Sequence, residues 1–347
     1  MIITFNKTVF QTSDPTTQKN LASILVEVSK RNHFLDLRDI SDLFFEAEKF
    51  IFSESEIAKN YLSKSDRIDL QSFINSVILK SSYITQLHKK HLTKIIIGAD
   101  EGEINPSDAL RIITERSKVI IENSINDWKF IDGVCQKYTS HRTRGSIYQL
   151  IRKAINSDEL EPDNLGGNGE LIKITQKWID TRYSSIYKFK LIAIFDSDRN
   201  SSSNYNTYPE KIGFFKGKDK IDVVPTDYEY DINDKILWHI LYKKKLENYV
   251  PLNVMYNCIT IISEQQKNDL NDKSNEELDF IEFDKSNIGI GKDKIKDQFP
   301  QIFLTNFSYL ELEEKCNHHK VNLVSLDGSN EQISELEQIL LKIAKII

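Results

Sequence analysis

Lys190-Leu191-Ile192-Ala193-Ile194-Phe195-Asp196-Ser197-Asp198-Arg199 is the stretch on which the fold turns. An unbroken apolar run of this length reads as a buried strand of an α/β sheet. The same pattern stands on either side of it. Lys118-Val119-Ile120-Ile121 runs into Glu122-Asn123, and Trp238-His239-Ile240-Leu241-Tyr242 runs into Lys243-Lys244-Lys245-Leu246-Glu247-Asn248-Tyr249. Open α/β sheets bind their ligands at the carboxyl ends of such strands, where these acids sit. In Asp196-Ser197-Asp198 alternate residues project to one side and can share a cation, an all-oxygen arrangement suited to Mg²⁺. Each acid also has a plain structural reading. A strand-end Glu is often solvated or part of a helix cap, Asp-x-Asp is often an ordinary loop, and Glu247 suits a helix N-terminus. The lysine triplet reads as a solvated face.

Upstream of the Glu122 strand lies Ile104-Asn105-Pro106-Ser107-Asp108-Ala109-Leu110-Arg111. A strand ending in Glu, a strand ending in Asp-x-Asp and a Leu-Glu-Asn-Tyr element after basic residues follow it in order. Together they resemble the Toprim domain, in the branch found in OLD-family nucleases and related bacterial antiphage defence effectors. The resemblance covers about residues 104–255. It implies an α/β fold with a Toprim-like, Rossmann-like core: a mainly parallel sheet flanked by helices. It implies Glu122 as the first-strand acid, bridging metal or acting as general base, and Asp196 and Asp198 as paired metal ligands. Asp127, a turn beyond Glu122, is a further ligand candidate. Glu247 matches the acid of the Glu-Asn-Tyr element and would hold a second metal. One of Lys243, Lys244 and Lys245, with Lys245 preferred, would contact the scissile phosphate. The implied cofactor is Mg²⁺ or Mn²⁺, two per site. Two such ions about 3.5–4 Å apart bind the attacking and leaving oxygens of an in-line phosphodiester displacement. The chain departs from the pattern at its second strand. Only Glu159 to Leu165 is available for it before the Gly166-Gly167-Asn168-Gly169 turn, and Pro162 argues against a central strand.

The chain has 347 residues and a net charge of −6. That length accommodates two or three domains or one large one. Residues 1–92 read as a mostly helical recognition or assembly domain, 93–255 as the catalytic core, and 256–347 as a C-terminal α/β extension packing on the core. The charge argues against a generally basic nucleic-acid coat. A metal site must itself be acidic, and local basic residues can still guide a phosphate backbone: Arg142, Arg144, Arg152 and Lys153, then Lys243 to Lys245. No apolar run approaches bilayer length, and Met1 to Lys7 lacks the apolar core of a secretion signal. The expectation is a cytoplasmic protein with no membrane partner. Cys135, Cys258 and Cys316 are widely spaced and read as free buried thiols.

Local signals place the remaining elements. Asp14-Pro15 opens a helix with Leu21, Ile24, Leu25 and Val28 at helical spacing. Phe44, Phe45, Ala47 and Phe50-Ile51 read as a second helix, and Ile68 to Ile78 as a third. Ile95-Ile96-Ile97-Gly98 is a short apolar run, and Pro106 opens a helix through Ile113. Residues 200–208 and 264–279 are polar loop or solvated helix surface. Val321 to Leu326 reads as a late strand and Glu331 to Ile347 as an amphipathic helix. Gly289-Ile290-Gly291-Lys292 is not a phosphate loop, because Ser286 stands where the first glycine belongs and Asp293 where Ser or Thr would bind Mg²⁺. His88 with His91 reads as surface helix, and the adjacent His318 and His319 make a poor chelate.

The leading expectation is a Mg²⁺- or Mn²⁺-dependent nuclease acting on DNA or a structured, tRNA-like RNA. By family analogy it is an antiphage effector. The missing phosphate loop implies a separate ATPase or sensor partner, docked through the N-terminal domain. The oligomeric state is left open, a homo-oligomer included. The competing expectation is a non-catalytic module of the same fold that binds nucleic acid or a partner protein. A topoisomerase or primase is weaker, for want of a strand-passage or zinc-binding domain.

Overall fold

The computed structural model describes residues 1–347 apart from 32, 80–83, 165, 206–207, 219–224, 259–261, 284–291 and 325–329. They fall into two compact units, Met1–Ser117 with Lys345–Ile347, and Lys118–Ala344.

In the first unit, Ile2-Ile3-Thr4-Phe5 forms β1 (Ile2–Phe5), buried at every position. It pairs in parallel with the two-residue β2 (Phe34–Leu35). A tight hairpin follows, β3 (Phe45–Glu46) against β4 (Lys49–Phe50). The other edge of β1 takes β5 (Lys94–Ile97), again in parallel. The Pro15–Lys30 helix starts as the sequence predicts: Asp14 accepts the Thr17 N–H at 2.8 Å, and Leu21, Ile24, Leu25 and Val28 are buried. The Lys64–Leu79 helix is likewise as expected, burying Leu70 and Ile74.

The expectations for this region need correction at three points. The N-terminal region is helical over most of its length, as expected, but it also carries a three-stranded parallel sheet of order β2-β1-β5 that the sequence reading missed. The expected helix around Phe44 to Ile51 is the β3–β4 hairpin, whose two-residue turn sets Ala47 and Glu48 at φ 45° and 66°. Such a turn matches strand twist, and the Phe45 and Phe50 rings then meet across it with centroids 5.6 Å apart. Finally, β5 and the Pro106–Thr114 helix belong to this unit, so the division falls at Ser117 and not at residue 92. His91 is buried, against its expected surface position, and His88 accepts the Thr85 N–H.

The second unit is built on four strands: β6 (Ser117–Ile121), β7 (Leu160–Asn164), β8 (Leu191–Phe195) and β9 (Leu237–Ile240), in the order β7-β6-β8-β9. β6 runs parallel to β8, and β8 to β9. Every residue of β6, β8 and β9 is buried, which is why their sequences are apolar without alternation. β7 is the strand that Pro162 argued against. It forms at the sheet edge, where a missing N–H does no harm. Lys118 in β6 reaches it by an ion pair with Glu161 at 2.7 Å. Phe195, Phe215 and Trp238 stack over the sheet, the last two 5.4 Å apart.

β10 (Lys320–Val324) and β11 (Asn330–Ser334) form an antiparallel pair, and the Glu335–Ala344 helix follows. The expected helix therefore starts four residues late, since Glu331 to Ser334 is strand. The late strand is present to Val324; residues 325 and 326 lie outside the described residues, as do 286–291 of the discarded phosphate-loop reading. Residues 264–279 hold two short helices, each opened by a capping box, Ser263 with Gln266 and Ser274 with Glu277. Arg144 is not a solvated surface residue. It is buried, paired with Glu337 at 2.8 Å and with Glu331. Arg152 is paired with Asp132. Cys135, Cys258 and Cys316 are free and buried, and burial pushes the thiols of Cys258 and Cys316 up to about 12. No described helix is long and apolar enough to cross a membrane.

Candidate active site

Parallel alignment of β6, β8 and β9 brings their carboxyl ends to one edge, and the chain leaves them at Glu122, Asp196 and Leu241. Glu122, Asp127 and Asp196 line a single cleft there, walled by Ile121, Phe195 and Leu241. Its volume of about 10 Å³ admits one water-sized sphere. Asp127 reaches it from the first turn of the Asn126–Tyr138 helix. One of its oxygens accepts the Asn123 N–H at 2.9 Å, and Asn123 Oδ1 accepts the N–H groups of Ile125 and Asn126. This turn folds the chain back so that Asp127 stands beside Glu122. Asp127 thus has a structural use as well as a place in the cleft.

Asp198 is held differently. Its φ of 50° is in the left-handed region, which Asp tolerates better than most residues but at some cost. The loop is fixed by bonds to the segment after β9. Asp198 N–H donates to Lys244 O at 3.1 Å, and Ser197 Oγ donates to Lys243 O at 2.8 Å. The Asp198 carboxylate is partly exposed and lies outside the ring of cleft-lining residues. Tyr208 OH donates to its Oδ2, and Lys245 Nζ stands 3.7 Å from its Oδ1.

The lysine triplet divides into three roles. Lys243 is buried and paired with Asp279. Lys244, also buried, donates to Asn200 Oδ1 at 2.7 Å. Lys245 is the one beside Asp198. The solvated-face reading therefore fails for Lys243 and Lys244, because the chain re-enters the unit after β9. Glu247 is buried in the Leu246–Tyr249 turn; Leu246, not Glu247, lines the cleft. Its neighbours are braces. Asn248 donates to the carbonyls of Leu278 and Ile281, and Tyr249 OH accepts the Lys243 N–H and donates to Glu335.

One residue at the site escapes sequence reasoning. Lys211, in the Pro209–Lys216 helix, is buried with its Nζ 3.4 Å from the centroid of the Tyr208 ring and 5.7 Å from that of Phe195. Burial pushes its ammonium down to about 8, against the opposing pull of Asp198, Glu122 and Asp196. A lone lysine in a short helix carries no sequence signal. Only the tertiary fold sets it facing these acids.

Among the described residues no three His, Cys, Asp or Glu side chains come close enough to hold a metal ion. Glu122, Asp127 and Asp196 are nevertheless an all-oxygen set around one small cleft, and that donor chemistry fits a hard divalent cation. No family model, no curated protein and no solved structure matches this chain.

Proposed function

We propose that the Lys118–Ala344 unit is a Toprim-type nuclease, using Mg²⁺ or Mn²⁺ to cleave phosphodiester bonds in DNA or structured RNA. The observation that carries this reading is the meeting of Glu122, Asp127 and Asp196 in one cleft at the carboxyl ends of adjacent parallel strands. Glu122, Asp127 and Asp196 would hold a cation, with Asp198 and Glu247 as the further ligands that the Toprim resemblance implies. Bound there, divalent ions supply a nucleophilic hydroxide at neutral pH and charge stabilisation at phosphorus. The chain's own residues do the rest. Glu122 would take the proton of the attacking water, the role that the Toprim resemblance implies. Lys245 carries positive charge beside Asp198, where the phosphate would lie. The apolar walls of Ile121, Phe195 and Leu241 lower the local dielectric and strengthen the interactions made inside the cleft.

By the same resemblance the protein acts in antiphage defence with a separate ATPase or sensor. The second reading, a non-catalytic module that binds nucleic acid or a partner, is favoured by the open spacing of the acids. One experiment separates the two. Plasmid DNA and total tRNA are incubated with the protein in Mg²⁺, Mn²⁺ or EDTA, beside Glu122→Gln and Asp196→Asn. Metal-dependent cutting lost in both variants supports the nuclease. Nucleic-acid binding without cutting, unchanged by either substitution, supports the module.

A further inference from the structure

Lys211 is placed at a cost to the fold. Its residue is 8 % exposed, and Nζ is buried with no hydrogen-bond partner among the described residues. An unpaired buried ammonium is expensive, and an aromatic face returns only part of the loss. The charge also sits in the first turn of the Pro209–Lys216 helix, the end at which the macrodipole disfavours cations. A methionine would fit each of these conditions better. The charges that act on it are Asp198, Glu122 and Asp196, and Tyr208 ties it to them: the ring seats the ammonium while the hydroxyl holds Asp198.

We propose that Lys211 Nζ is a second phosphate ligand of this site, taking a non-bridging oxygen of a phosphodiester on the side of Asp198 held by Tyr208. The inference rests on the reading of the carboxylates as a phosphodiester site, and it assigns Lys211 a role distinct from that of Lys245. A desolvated ammonium that makes no hydrogen bonds has three donors ready for an anion. Nζ is covered in this structure, so binding requires a small movement that opens it to the phosphate.

The test uses the full chain and its Lys211→Met and Lys211→Arg variants. A short fluorescein-labelled oligonucleotide is bound in Ca²⁺, and its affinity is read by anisotropy over a range of salt. Unfolding midpoints and cleavage in Mn²⁺ are measured alongside. Loss of one phosphate contact predicts weaker binding by Lys211→Met, by about tenfold, and a salt slope smaller by about 0.7–0.9. Lys211→Arg should keep both within about threefold, and the unfolding midpoint of Lys211→Met should be equal or higher. Unchanged affinity and slope in Lys211→Met would overturn the proposal. So would a lowered unfolding midpoint in Lys211→Met, which marks a structural lysine, or no oligonucleotide binding by the parent protein. If the parent binds but never cuts, and Lys211→Met weakens that binding, the phosphate ligand stands and the nuclease reading falls. If the parent cuts and Lys211→Met binds and cuts equally well, the nuclease stands and this inference falls.

Discussion

Replacing Asp279 by alanine tests how the site is held in place. Asp279 is 1 % exposed, serves as counter-ion to Lys243 and Lys315, and is hydrogen-bonded to His318. Its backbone carbonyl accepts the Lys244 N–H at 2.9 Å, and Lys244 O accepts the Asp198 N–H at 3.1 Å. The carboxylate thus anchors the segment on which the Asp-x-Asp loop rests. Truncation strands Lys243, itself 1 % exposed, as a buried ammonium. Removing one partner of a buried pair costs about 3–5 kcal/mol. Lys315 softens the loss, because burial and the Lys243 charge already push its ammonium down to about 8 and it can shed its proton. A net loss of about 3 kcal/mol follows, which for a unit of this size lowers Tm by about 6–12 °C. Urea unfolding of the parent, Asp279→Ala, Lys243→Met and the double variant measures it. The double variant should recover at least half of the loss, since it removes the stranded charge. A single-variant cost below about 1 kcal/mol, or strictly additive costs, would refute the reasoning.

Three further outcomes are expected. His239 donates to Glu335 at 2.8 Å while Lys342 donates to its Nδ1 at 2.9 Å, and burial, helped by the Lys342 charge, holds its imidazole down at about 4 against an ordinary 6.5. The unfolded chain takes that proton first, so stability falls as pH drops from 6.5 towards 4, by about 2 kcal/mol at pH 5. Thermal unfolding at pH 7 and pH 5 reads it, and His239→Gln should flatten the dependence. Tyr208→Phe keeps the ring beside Lys211 but loses the bond to Asp198. A hydrogen bond to a carboxylate is worth about 1.5 kcal/mol, so cleavage should fall about tenfold while Tm falls by no more than about 3–6 °C; full activity would sink the assigned role. Arg144→Met should destabilise by about 3–5 kcal/mol through the stranded Glu337, with oligonucleotide affinity intact. Affinity lost without stability would restore Arg144 as a backbone guide.

The strands that build the site are legible in the sequence, because parallel strands covered on both faces must be apolar at every position. Glu122, Asp127 and Asp196 are legible for the same reason: each follows directly, or within a turn, from such a run. The first unit is harder to read. β1 is four residues long and its partners lie at 34–35 and 94–97, so nothing local marks it as the centre of a sheet. The β3–β4 hairpin has aromatic residues at helix-compatible spacing, and its turn residues Ala47 and Glu48 lack the Gly or Asn that announces positive φ. Arg144, Lys243 and Lys244 look solvated because charge is visible in sequence while a buried counter-ion far along the chain is not. Lys211 belongs with them: the Glu122, Asp196 and Asp198 carboxylates that act on it lie far from it along the chain.

The central claim is that strand-end carboxylates form one cation site. Calorimetric titration with Mn²⁺ tests it most directly, on the parent protein, Glu122→Gln and Asp196→Asn, with unfolding midpoints measured in parallel. The account predicts saturable Mn²⁺ binding by the parent, weakened in Glu122→Gln and lost in Asp196→Asn, with all three proteins equally folded. Equal Mn²⁺ binding by all three, or none by the folded parent, would contradict it.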